Sequence, residues 1–460
     1  MISTNLPEYE YELSLIPDLF PDGNQIAVKH EGKNTQTEFS ATVTAGDVTR
    51  TFRESVTEKD RVRYLRLLKR FHKLAVYRTL REVFGVQPPW GALTGIRPVK
   101  LAYMEQEEGL DPIAFLREEM DVTEPKLRLV SDILAEQKGI YKKDDRGFSL
   151  YISIPFCPTK CVYCSFITAE LKRSEKYLEP YIDAAIKEIE AAKPLFPLLR
   201  SVYIGGGTPV AIPSALLEKV LAAVGKVPVE YTVEAGRPDA ITKENLALLK
   251  KYGVTRVCVN PQTFTDRTLA AIGRKHTKED TLRALSLVQS FGFTVNMDFI
   301  AGLPEESKEE FLAGIDEVCA LKPDNVTVHT LSLKKGSVLK ESVSRLPEGE
   351  TSEMVDGAYD RLTAAGYKPY YLYRQKYMAG NLENVGYTLP GKACVYNIDI
   401  MEENTSILAC GAGAISKRIY SGDRLERFAN MKNAKEYIER FDENLKKQLE
   451  FWDKNNYNNK

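Results

Sequence analysis

Three cysteines lie close together on a short stretch of the chain. Cys157 and Cys161 are separated by three residues and Cys161 and Cys164 by two, with Tyr163 directly before the last cysteine. Three thiolates on one loop can ligate three irons of a [4Fe–4S] cluster and leave the fourth iron without a protein ligand. A zinc site would need a fourth Cys or His nearby, and of the four histidines only His72 lies within a hundred residues. The odd number of cysteines also argues against disulfides, so the spacing favours an iron–sulfur site whose open iron can bind a cofactor.

The composition is that of a neutral chain without a membrane or nucleic-acid signature. The 460 residues include 63 Lys and Arg against 64 Asp and Glu, so no strong field steers the protein to nucleic acid or to an anionic membrane. The N-terminus carries acidic residues where a secretory signal would be basic and then apolar, and no apolar run approaches the length of a membrane span. Exposed thiolates that await iron require a reducing compartment. We therefore expect a cytoplasmic protein with no membrane span and no nucleic-acid partner.

Residues 1–145 are predicted to form a separate α+β domain. Before residue 50, short stretches alternate apolar and polar residues, with Asp-Gly and Ala-Gly between them, which indicates a small antiparallel sheet. A long amphipathic helix is predicted over residues 57–83, because its apolar residues recur with the helical period. Shorter helices are expected over residues 98–107, 111–120 and 124–138.

Residues 146–336 alternate β-branched runs with helical stretches, which predicts an α/β barrel domain. Six consecutive βα units make a parallel sheet that curves into a partial (β/α)6 barrel. The predicted strands span residues 150–154, 201–204, 231–234, 257–259, 294–298 and 326–329. The predicted helices between them span residues 177–192, 213–224, 243–251, 278–291 and 307–321. Residues 337–460 are expected to form a C-terminal region of mixed character.

Glycine-rich and acidic motifs follow several predicted strands, and on such a scaffold the reacting groups lie at the carboxyl ends of the strands. The run Gly-Gly-Gly-Thr-Pro at 205–209 lets backbone groups approach a ligand closely, although it is also typical of a tight turn. Glu234 ends the next strand, where an exposed carboxylate without a role is the alternative. Asp298 stands in a strongly apolar strand, where an ionised group is costly unless it is paired or bonded to a ligand.

The cysteine triplet resembles the signature of the radical S-adenosylmethionine (SAM) superfamily, with Tyr163 in the position of its aromatic residue. The resemblance covers about residues 148–420, through motifs in the order found in oxygen-independent coproporphyrinogen III oxidases. These motifs stand at residues 205–209, 234–239, 256–264, 273–277 and 297–304. The segment Trp-Gly-Ala-Leu-Thr-Gly-Ile-Arg-Pro at 90–98 is similar to the HemZ-type branch, a coproporphyrinogen dehydrogenase. The fold implied is a partial (β/α)6 radical SAM barrel with an N-terminal α+β domain.

The resemblance also implies cofactors and the residues that hold them. Cys157, Cys161 and Cys164 match the ligands of the [4Fe–4S] cluster. SAM contacts are implied for Tyr151, Tyr163, Gly206, Gly207, Thr208, Glu234, Gln262, Arg274, Asp298, Ile300 and Ile415. Arg274 matches a contact to the SAM carboxylate, which suits a guanidinium, whereas Ile415 matches a residue near a second SAM. Ordinary packing is the alternative for the apolar and aromatic members, and no side chain is assigned as a catalytic acid or base.

The substrate implied by the resemblance is coproporphyrinogen III. A radical derived from SAM would remove a β-hydrogen from each of two propionates, whose oxidative decarboxylation gives the vinyl groups of protoporphyrinogen IX. The implied partners are this tetrapyrrole and a reductase, flavodoxin or ferredoxin that donates electrons. The Tyr-rich stretch at 367–377, with Lys368, Arg374 and Lys376, can stack on and neutralise a flat polyacid, or it can be a half-buried strand.

Three other functions stay open on the sequence: a haem chaperone of the same superfamily, a radical SAM methyltransferase, and a partner-binding protein whose cluster is structural. The intact SAM motifs argue against the last. Two departures from the family bear on the substrate. Residues 234–238 read Glu-Ala-Gly-Arg-Pro where the better-known oxidases have Glu-Ala-Asn-Pro, and the N-terminal region lacks the substrate-shielding extension of the characterised oxidase.

Overall fold

The computed structural model describes residues 2–95, 97–166, 169–332, 337–339, 349–375, 378–420 and 424–453. In the motif at 90–98 and the Tyr-rich stretch at 367–377, the residues Ile96, Lys376 and Tyr377 lie outside these ranges. The chain forms two compact units, Met1–Ser131 and Asp132–Lys460, and the division at residues 145 and 336 stays a prediction. Within the described ranges, no helix is both long and apolar enough to cross a membrane.

The first unit contains a four-stranded sheet in the order β1-β2-β3-β4. Its strands are β1 (Ile2–Thr4), β2 (Val28–Asn34), β3 (Glu38–Ala45) and β4 (Val48–Ser55). β2, β3 and β4 are antiparallel, as predicted, whereas the short β1 runs parallel to β2. Buried residues alternate with more exposed ones along β2 and β3, because successive side chains of a strand point to opposite faces of the sheet.

A long helix packs against this sheet. The helices up to residue 136 are α1 (Glu10–Leu13), α2 (Arg61–Phe84), α3 (Pro98–Glu107), α4 (Pro112–Glu118) and α5 (Glu124–Glu136). The long helix, α2, contacts β3. It begins later than the predicted residue 57, because the Asp60 side chain caps it by accepting a hydrogen bond from the Arg63 backbone N–H. It ends at Gly85, whose φ of +63° is a conformation that glycine adopts readily.

The centre of the second unit is the predicted run of parallel strands. A small two-stranded sheet of β6 (Phe156–Cys157) and β7 (Ala169–Glu170) stands between the first and second of them in the chain. The six parallel strands are β5 (Asp144–Ile154), β8 (Leu199–Gly206), β9 (Glu230–Gly236), β10 (Arg256–Val259), β11 (Thr294–Ala301) and β12 (Asn325–Thr330). Each pairs in parallel with the next in that order. All six predicted strands are confirmed, and every residue of β10 is buried, as expected of a parallel sheet covered on both faces.

Helices connect these strands. They are α6 (Leu171–Ala192), α7 (Ser214–Val224), α8 (Lys243–Lys251), α9 (Asp266–Ala271), α10 (Lys278–Ser290) and α11 (Lys308–Leu321). α8, α10 and α11 begin with capping boxes, which fix where each helix starts. The predicted start of α6 at residue 177 is wrong, because the buried face of the helix already includes Ser174, in helical register with Leu178 and Tyr181.

Strands from the last part of the chain extend the same sheet at both edges. They are β13 (Lys368–Tyr373), β14 (Asn384–Thr388), β15 (Thr405–Cys410), β16 (Ile415–Ile419) and β17 (Leu425–Ala429). β14 pairs antiparallel with β12 and is followed by β13, whereas β15 pairs in parallel with β5 and is followed by β16 and β17. The accompanying helices are α12 (Gly349–Ala364), α13 (Val395–Glu402), α14 (Ala434–Glu439) and α15 (Phe441–Trp452). Residues after 337 therefore contribute strands to the sheet that carries the barrel.

Candidate active site

A cavity of ≈ 320 Å³ lies at the carboxyl ends of the parallel strands. Twelve of the fourteen site residues expected from the sequence line it: Cys157, Cys161, Tyr163, Cys164, Gly206, Gly207, Thr208, Glu234, Gln262, Arg274, Asp298 and Ile300. They come from the cysteine loop, from the ends of β8, β9, β10 and β11 and, for Arg274, from the segment between α9 and α10. The chain folds so that motifs far apart in sequence meet at one edge of the sheet, as parallel strands require.

The other two expected residues, Tyr151 and Ile415, are not among the described residues that line this cavity. The ring of Tyr151 stacks on the rings of Tyr203 and Tyr396, with centroids 6.2 and 6.1 Å away. Because Tyr203 itself lines the cavity, Tyr151 contacts the cavity lining through the ring of Tyr203. Ile415 begins β16 and is 48% exposed, and its role beside a second SAM stays a prediction.

The cysteine loop is anchored by hydrogen bonds on both sides of its thiols. Cys157 ends β6, which pairs with β7, and the Val162 N–H donates to the Ile272 carbonyl at 3.2 Å. The Thr208 hydroxyl lies 3.6 Å from the Cys157 sulfur. Burial raises the pKa of the Cys157 thiol to about 11 and also raises the pKa of the Cys164 thiol. Both thiols are therefore protonated at neutral pH, and each would release a proton on ligating iron, a role that stays a prediction.

The glycine run after β8 packs against the strand that carries the first cysteine. A Cβ atom on Gly207 would lie 2.5 Å from the Phe156 carbonyl oxygen, and Gly206 has a φ of +104°, so a larger residue is excluded at either position. The Thr208 N–H donates to the Phe156 carbonyl at 2.8 Å. The run thus holds the Cys157 strand in place, which explains its glycines by packing, and a contact with SAM stays a prediction.

Two half-buried carboxylates line the cavity, Glu234 at the end of β9 and Asp298 in β11. Burial, with the negative charge of Asp298, raises the pKa of Glu234 to about 7. Burial also acts to raise the pKa of Asp298. Hydrogen bonding and charge from His329, together with a hydrogen bond from Asn296, have a larger combined effect and lower the pKa of Asp298. Asn296 Nδ2 donates to Asp298 Oδ1 at 2.7 Å, and His329 Nε2 lies 3.8 Å from Oδ2. Two like charges in a buried site favour a bound cation.

Buried polar atoms without partners surround Arg274. Its guanidinium donates to the Asn260 carbonyl at 2.5 Å and to the Tyr163 hydroxyl at 3.1 Å. Its Nε, together with the side-chain oxygens of Asn260 and Gln262, is buried without a hydrogen-bond partner among the described residues. Gln262 also has a φ of +75°, a strained conformation for a residue other than glycine. Since buried polar atoms normally have partners, these three atoms mark a place where a polar ligand completes the hydrogen bonding.

Arg237, which stands in the stretch that departs from the family pattern, connects β9 to the cysteine loop. The side chain is only 4% exposed and lines the cavity. Nη1 donates to the Thr159 hydroxyl at 2.6 Å, whereas Nε and Nη2 donate to the two carboxylate oxygens of Asp239 at 3.0 and 2.8 Å. Thr159 lies midway between Cys157 and Cys161 in the chain.

One wall of the cavity is aromatic and neutral. Tyr203, Tyr371 and Tyr373 line it together with the amides of Asn384 and Asn397. The planes of Tyr371 and Tyr373 are nearly parallel, with 3° between them and their centroids 6.5 Å apart. Such a surface is suited to a flat ligand that stacks and accepts hydrogen bonds.

The Tyr-rich stretch at 367–377 supplies the rings of this wall, but its described cations do not join them. Lys368 and Arg374 are absent from the described residues that line the cavity. Arg374 is instead buried and donates to the Asn381 carbonyl at 3.0 Å. Stacking by this stretch is therefore compatible with the structure, whereas charge neutralisation by Lys368 or Arg374 is not.

Sequence reasoning missed Asn296 and His329 as cavity residues, although strand periodicity carries a signal for both. Asn296, Asp298 and Ile300 stand at alternate positions of β11 and share one face. His329 is paired in register with Ile300 on the neighbouring strand. Tyr371 lies in the Tyr-rich stretch noted in the sequence, but no pattern there places it at the cavity, because β13 joins the sheet through β14 and not next to its neighbours in the chain.

The residues present fit a [4Fe–4S] cluster and SAM. Three thiols, two carboxylates suited to a cation, and unpartnered polar atoms around Arg274 share one cavity. No three His, Cys, Asp or Glu side chains of the described chain converge as ligands of a single metal ion do. This result concerns a single metal ion. In a [4Fe–4S] cluster each thiolate ligates a different iron, so the three thiols do not have to converge on one point.

Sequence comparison matches this chain to a family model and to several known proteins. The model of the radical SAM superfamily matches residues 151–318. The oxygen-independent coproporphyrinogen-III oxidase-like protein HemZ of Bacillus subtilis (strain 168) is 39% identical over 417 residues, which are 86% of this chain and 82% of that protein. The heme chaperone HemW of Lactococcus lactis subsp. lactis (strain IL1403) is 30% identical over 277 residues, 58% of this chain and 68% of that protein.

A solved structure shares the fold. The coproporphyrinogen III oxidase HemN from Escherichia coli, described as a radical SAM enzyme, matches with a TM-score of 0.53 at 23% identity. The match covers 66% of this chain and 71% of the HemN chain. At this identity the likeness shows a common fold, which agrees with the predicted radical SAM barrel.

Proposed function

Because this chain belongs to the radical SAM superfamily, in its branch of oxygen-independent coproporphyrinogen III oxidase-like proteins, we propose that it oxidatively decarboxylates coproporphyrinogen III. Its cofactors are a [4Fe–4S] cluster and SAM. Two propionate side chains each lose a β-hydrogen atom to the oxidant derived from SAM, one electron to an external one-electron acceptor, and carbon dioxide, and each becomes a vinyl group. The product is protoporphyrinogen IX.

The observation that supports this function is the division of one cavity into two chemically different parts. The cofactor half consists of the cysteine loop with Glu234, Arg274 and Asp298. The distal half consists of the neutral wall, made by Tyr203, Tyr371, Tyr373, Asn384 and Asn397. A charged cofactor and a flat substrate can therefore lie against each other in a shared space, which is the proximity that hydrogen-atom transfer requires.

Each part of the cofactor half has a proposed role. When bound, the cluster and SAM supply a one-electron cleavage that yields an oxidant able to take a hydrogen atom from a C–H bond. We assign the cationic end of SAM to Glu234 and the backbone of Gly206 to Thr208, its carboxylate to Arg274, and its nucleoside to Gln262, Asp298, Ile300 and Tyr163. Cys157, Cys161 and Cys164 ligate the irons. Burial of this half excludes water from the reacting groups.

The distal half positions the substrate. Tyr371 and Tyr373 provide parallel rings on which a pyrrole can stack, and the amides of Asn384 and Asn397 stand beside them. The electron donor is a reductase, flavodoxin or ferredoxin, and the reaction takes place in the cytoplasm, where a reducing environment keeps the thiols available.

The similarity to HemW supports a second candidate, the binding and delivery of haem. The relative from Lactococcus lactis is described as a heme chaperone and is 30% identical to this chain. In that case the distal half would hold haem without chemical change.

An anaerobic assay separates these functions. The reconstituted protein is mixed with coproporphyrinogen III, SAM and reductant, and the tetrapyrrole and nucleoside products are analysed by mass. We expect about two SAM cleaved and about two carbon dioxide released per tetrapyrrole, one for each propionate, and none with Cys157→Ala. Tight haem binding without decarboxylation would instead support the chaperone. A tetrapyrrole heavier by a methylene unit, together with S-adenosylhomocysteine, would support a methyltransferase.

A further inference from the structure

We propose that Arg237 is a positioning residue for the iron–sulfur cluster, which fixes the cysteine loop through Thr159 and holds a positive charge beside the thiolates. This inference concerns the cluster, so it holds whether the substrate is coproporphyrinogen III or another molecule. It gives a role to the stretch at 234–238 that departs from the better-known oxidases.

The geometry around Arg237 is rigid. Three of its nitrogens are engaged, one with the Thr159 hydroxyl and two with the Asp239 carboxylate, at distances of 2.6 to 3.0 Å. The planar fork of a guanidinium sets the direction of all these bonds at once. Asp239 stands two residues after Arg237, within a single 3-10 turn. The Asp239 carboxylate is therefore held close to the guanidinium and orients it toward the cysteine loop.

The point of attachment lies within the cluster motif. Thr159 stands between Cys157 and Cys161, and Cys157 is already fixed by the pairing of β6 with β7. A hydrogen bond at Thr159 therefore limits where the chain can carry Cys161. Arg237 also follows Glu234 by only three residues at the end of β9, so one strand end holds both the cluster loop and a carboxylate of the SAM site.

The charge of Arg237 acts in a buried place. Among the described residues that line the cavity, the arginines and lysines are Lys160, Arg237 and Arg274. A positive charge fixed beside the thiolates favours the reduced form of a bound cluster, because reduction adds negative charge there, and low exposure leaves this interaction little screened by solvent. The Asp239 carboxylate opposes that effect, since it carries the opposite charge on the same fork.

Four variants separate position from charge. Arg237→Ala removes both the bonds and the charge, and Thr159→Val removes only the bond to the loop. Asp239→Asn removes the opposing charge and one of the two bonds that Asp239 accepts from Arg237, while the bond to Thr159 remains. Arg237→Lys keeps the charge but lacks the fork that reaches Thr159 and Asp239 together. Arg200→Ala is the matched control, because Arg200 forms a similar two-bond pair with Asp399 from the amino-terminal end of β8.

The measurements are the midpoint potential of the reconstituted cluster, followed by EPR, and the rate at which a chelator removes its iron. We expect Arg237→Ala to make reduction at least tenfold less favourable, which is 59 mV for a one-electron couple, and Asp239→Asn to shift the potential in the opposite direction. Thr159→Val is expected to lose iron several-fold faster with little change in potential. Arg237→Lys is expected to lose iron as Thr159→Val does, with a potential near that of the unmodified protein.

The test is decisive because Arg237→Ala and Asp239→Asn are expected to shift the midpoint potential in opposite directions. A merely structural role would move both variants in the same direction or neither, and that outcome overturns the electrostatic part. Labelling of the thiols in the iron-free protein tests the positioning part, because Thr159→Val should expose Cys161 to faster reaction than Arg200→Ala does. Equal labelling rates in these two variants overturn it. Should Arg237→Ala fail to fold, Asp239→Asn and Thr159→Val still decide each part.

Discussion

The two halves of the cavity differ in charge and in whether their polar atoms have hydrogen-bond partners. The cofactor half buries charges and leaves polar atoms unsatisfied: the pKa of Glu234 is raised to about 7, and Arg274 Nε lacks a partner among the described residues. The distal half is neutral, and polar atoms in it have partners within the protein. Asn384 Nδ2 donates to the Tyr373 carbonyl at 3.2 Å, Asn384 Oδ1 accepts the Thr330 N–H at 3.0 Å, and the Tyr373 hydroxyl lies 3.3 Å from His329 Nδ1.

This difference separates what each half can recognise. Buried charge costs stability until a ligand of opposite charge compensates it, so the cofactor half is selective for charge and gains energy when it is filled. A neutral wall whose polar atoms are already bonded selects by shape and stacking, with small gains for each contact. Substitutions in the cofactor half should therefore have large effects on the cofactors, and those in the distal half small effects on the substrate.

The largest effect is expected at the cluster. Replacing Cys157, Cys161 or Cys164 with Ala should reduce the iron content of the reconstituted protein from about four per chain to nearly none, because a cluster with one open iron has no thiolate to spare. Iron analysis and the visible absorption of the cluster measure this. Cys319→Ala is the control, since Cys319 lies in α11 and is not among the described residues of the cavity. A full cluster in any of the three variants would refute the assignment.

The next effect is the loss of SAM binding in Glu234→Gln. Removing a charged hydrogen-bond acceptor should cost about 1.5–3 kcal/mol, roughly a 10- to 150-fold weaker affinity, while iron content is unchanged. In the unmodified protein, affinity should also fall as pH drops below about 7, because protonation of Glu234 removes the charge that a cation requires. Calorimetry from pH 6 to pH 8 measures both. A pH dependence that persists in Glu234→Gln would assign the titration to another group.

The parallel strands and their motifs could be predicted from the sequence because both signals are local. β12 is rich in β-branched residues, which is typical of a strand, and the helices between strands begin at recognisable caps such as Thr277 and Ser307. The glycine run comes directly after the predicted strand 201–204, and Asp298 ends the predicted strand 294–298. The topology therefore predicts that both lie at the carboxyl edge of the sheet.

The remaining parts depend on pairings between distant segments. β15 pairs with β5, and β14 with β12, across long stretches of chain, and no local pattern indicates those partners. Tyr371 becomes a cavity residue only through this pairing. Arg237 reads as a departure from a motif, and its role depends on the position of Thr159, which the sequence does not give.

Glu234→Gln should also stabilise the protein without cofactors. The pKa of Glu234 is about 7 in the folded protein against 4.5 for the ordinary side chain, so the folded state binds this proton more tightly and loses stability as pH rises from about 4.5 to 7. At pH 8 the loss amounts to roughly 2–3 kcal/mol, and glutamine removes it. Denaturant unfolding at pH 5 and pH 8 measures the difference, with the exposed Glu244→Gln as control. An equal gain at both pH values would mean that the carboxylate charge is not its cause.

The smallest effect is expected in the distal half, for Tyr373→Phe. This change removes the hydroxyl that lies 3.3 Å from His329 Nδ1 and keeps the ring. The contact with His329 orients the ring on which the tetrapyrrole is proposed to stack, and a neutral hydrogen bond is worth about 0.5–1.5 kcal/mol. KM for the tetrapyrrole should therefore rise roughly 2- to 10-fold, whereas SAM affinity and iron content should stay the same. Tyr367→Phe is the matched control, because the buried Tyr367 hydroxyl donates to the Pro323 carbonyl and its residue is not among the described residues lining the cavity. If Tyr373→Phe weakened SAM binding as strongly as Glu234→Gln, the two halves would act as one site, since His329 lies between Tyr373 and Asp298.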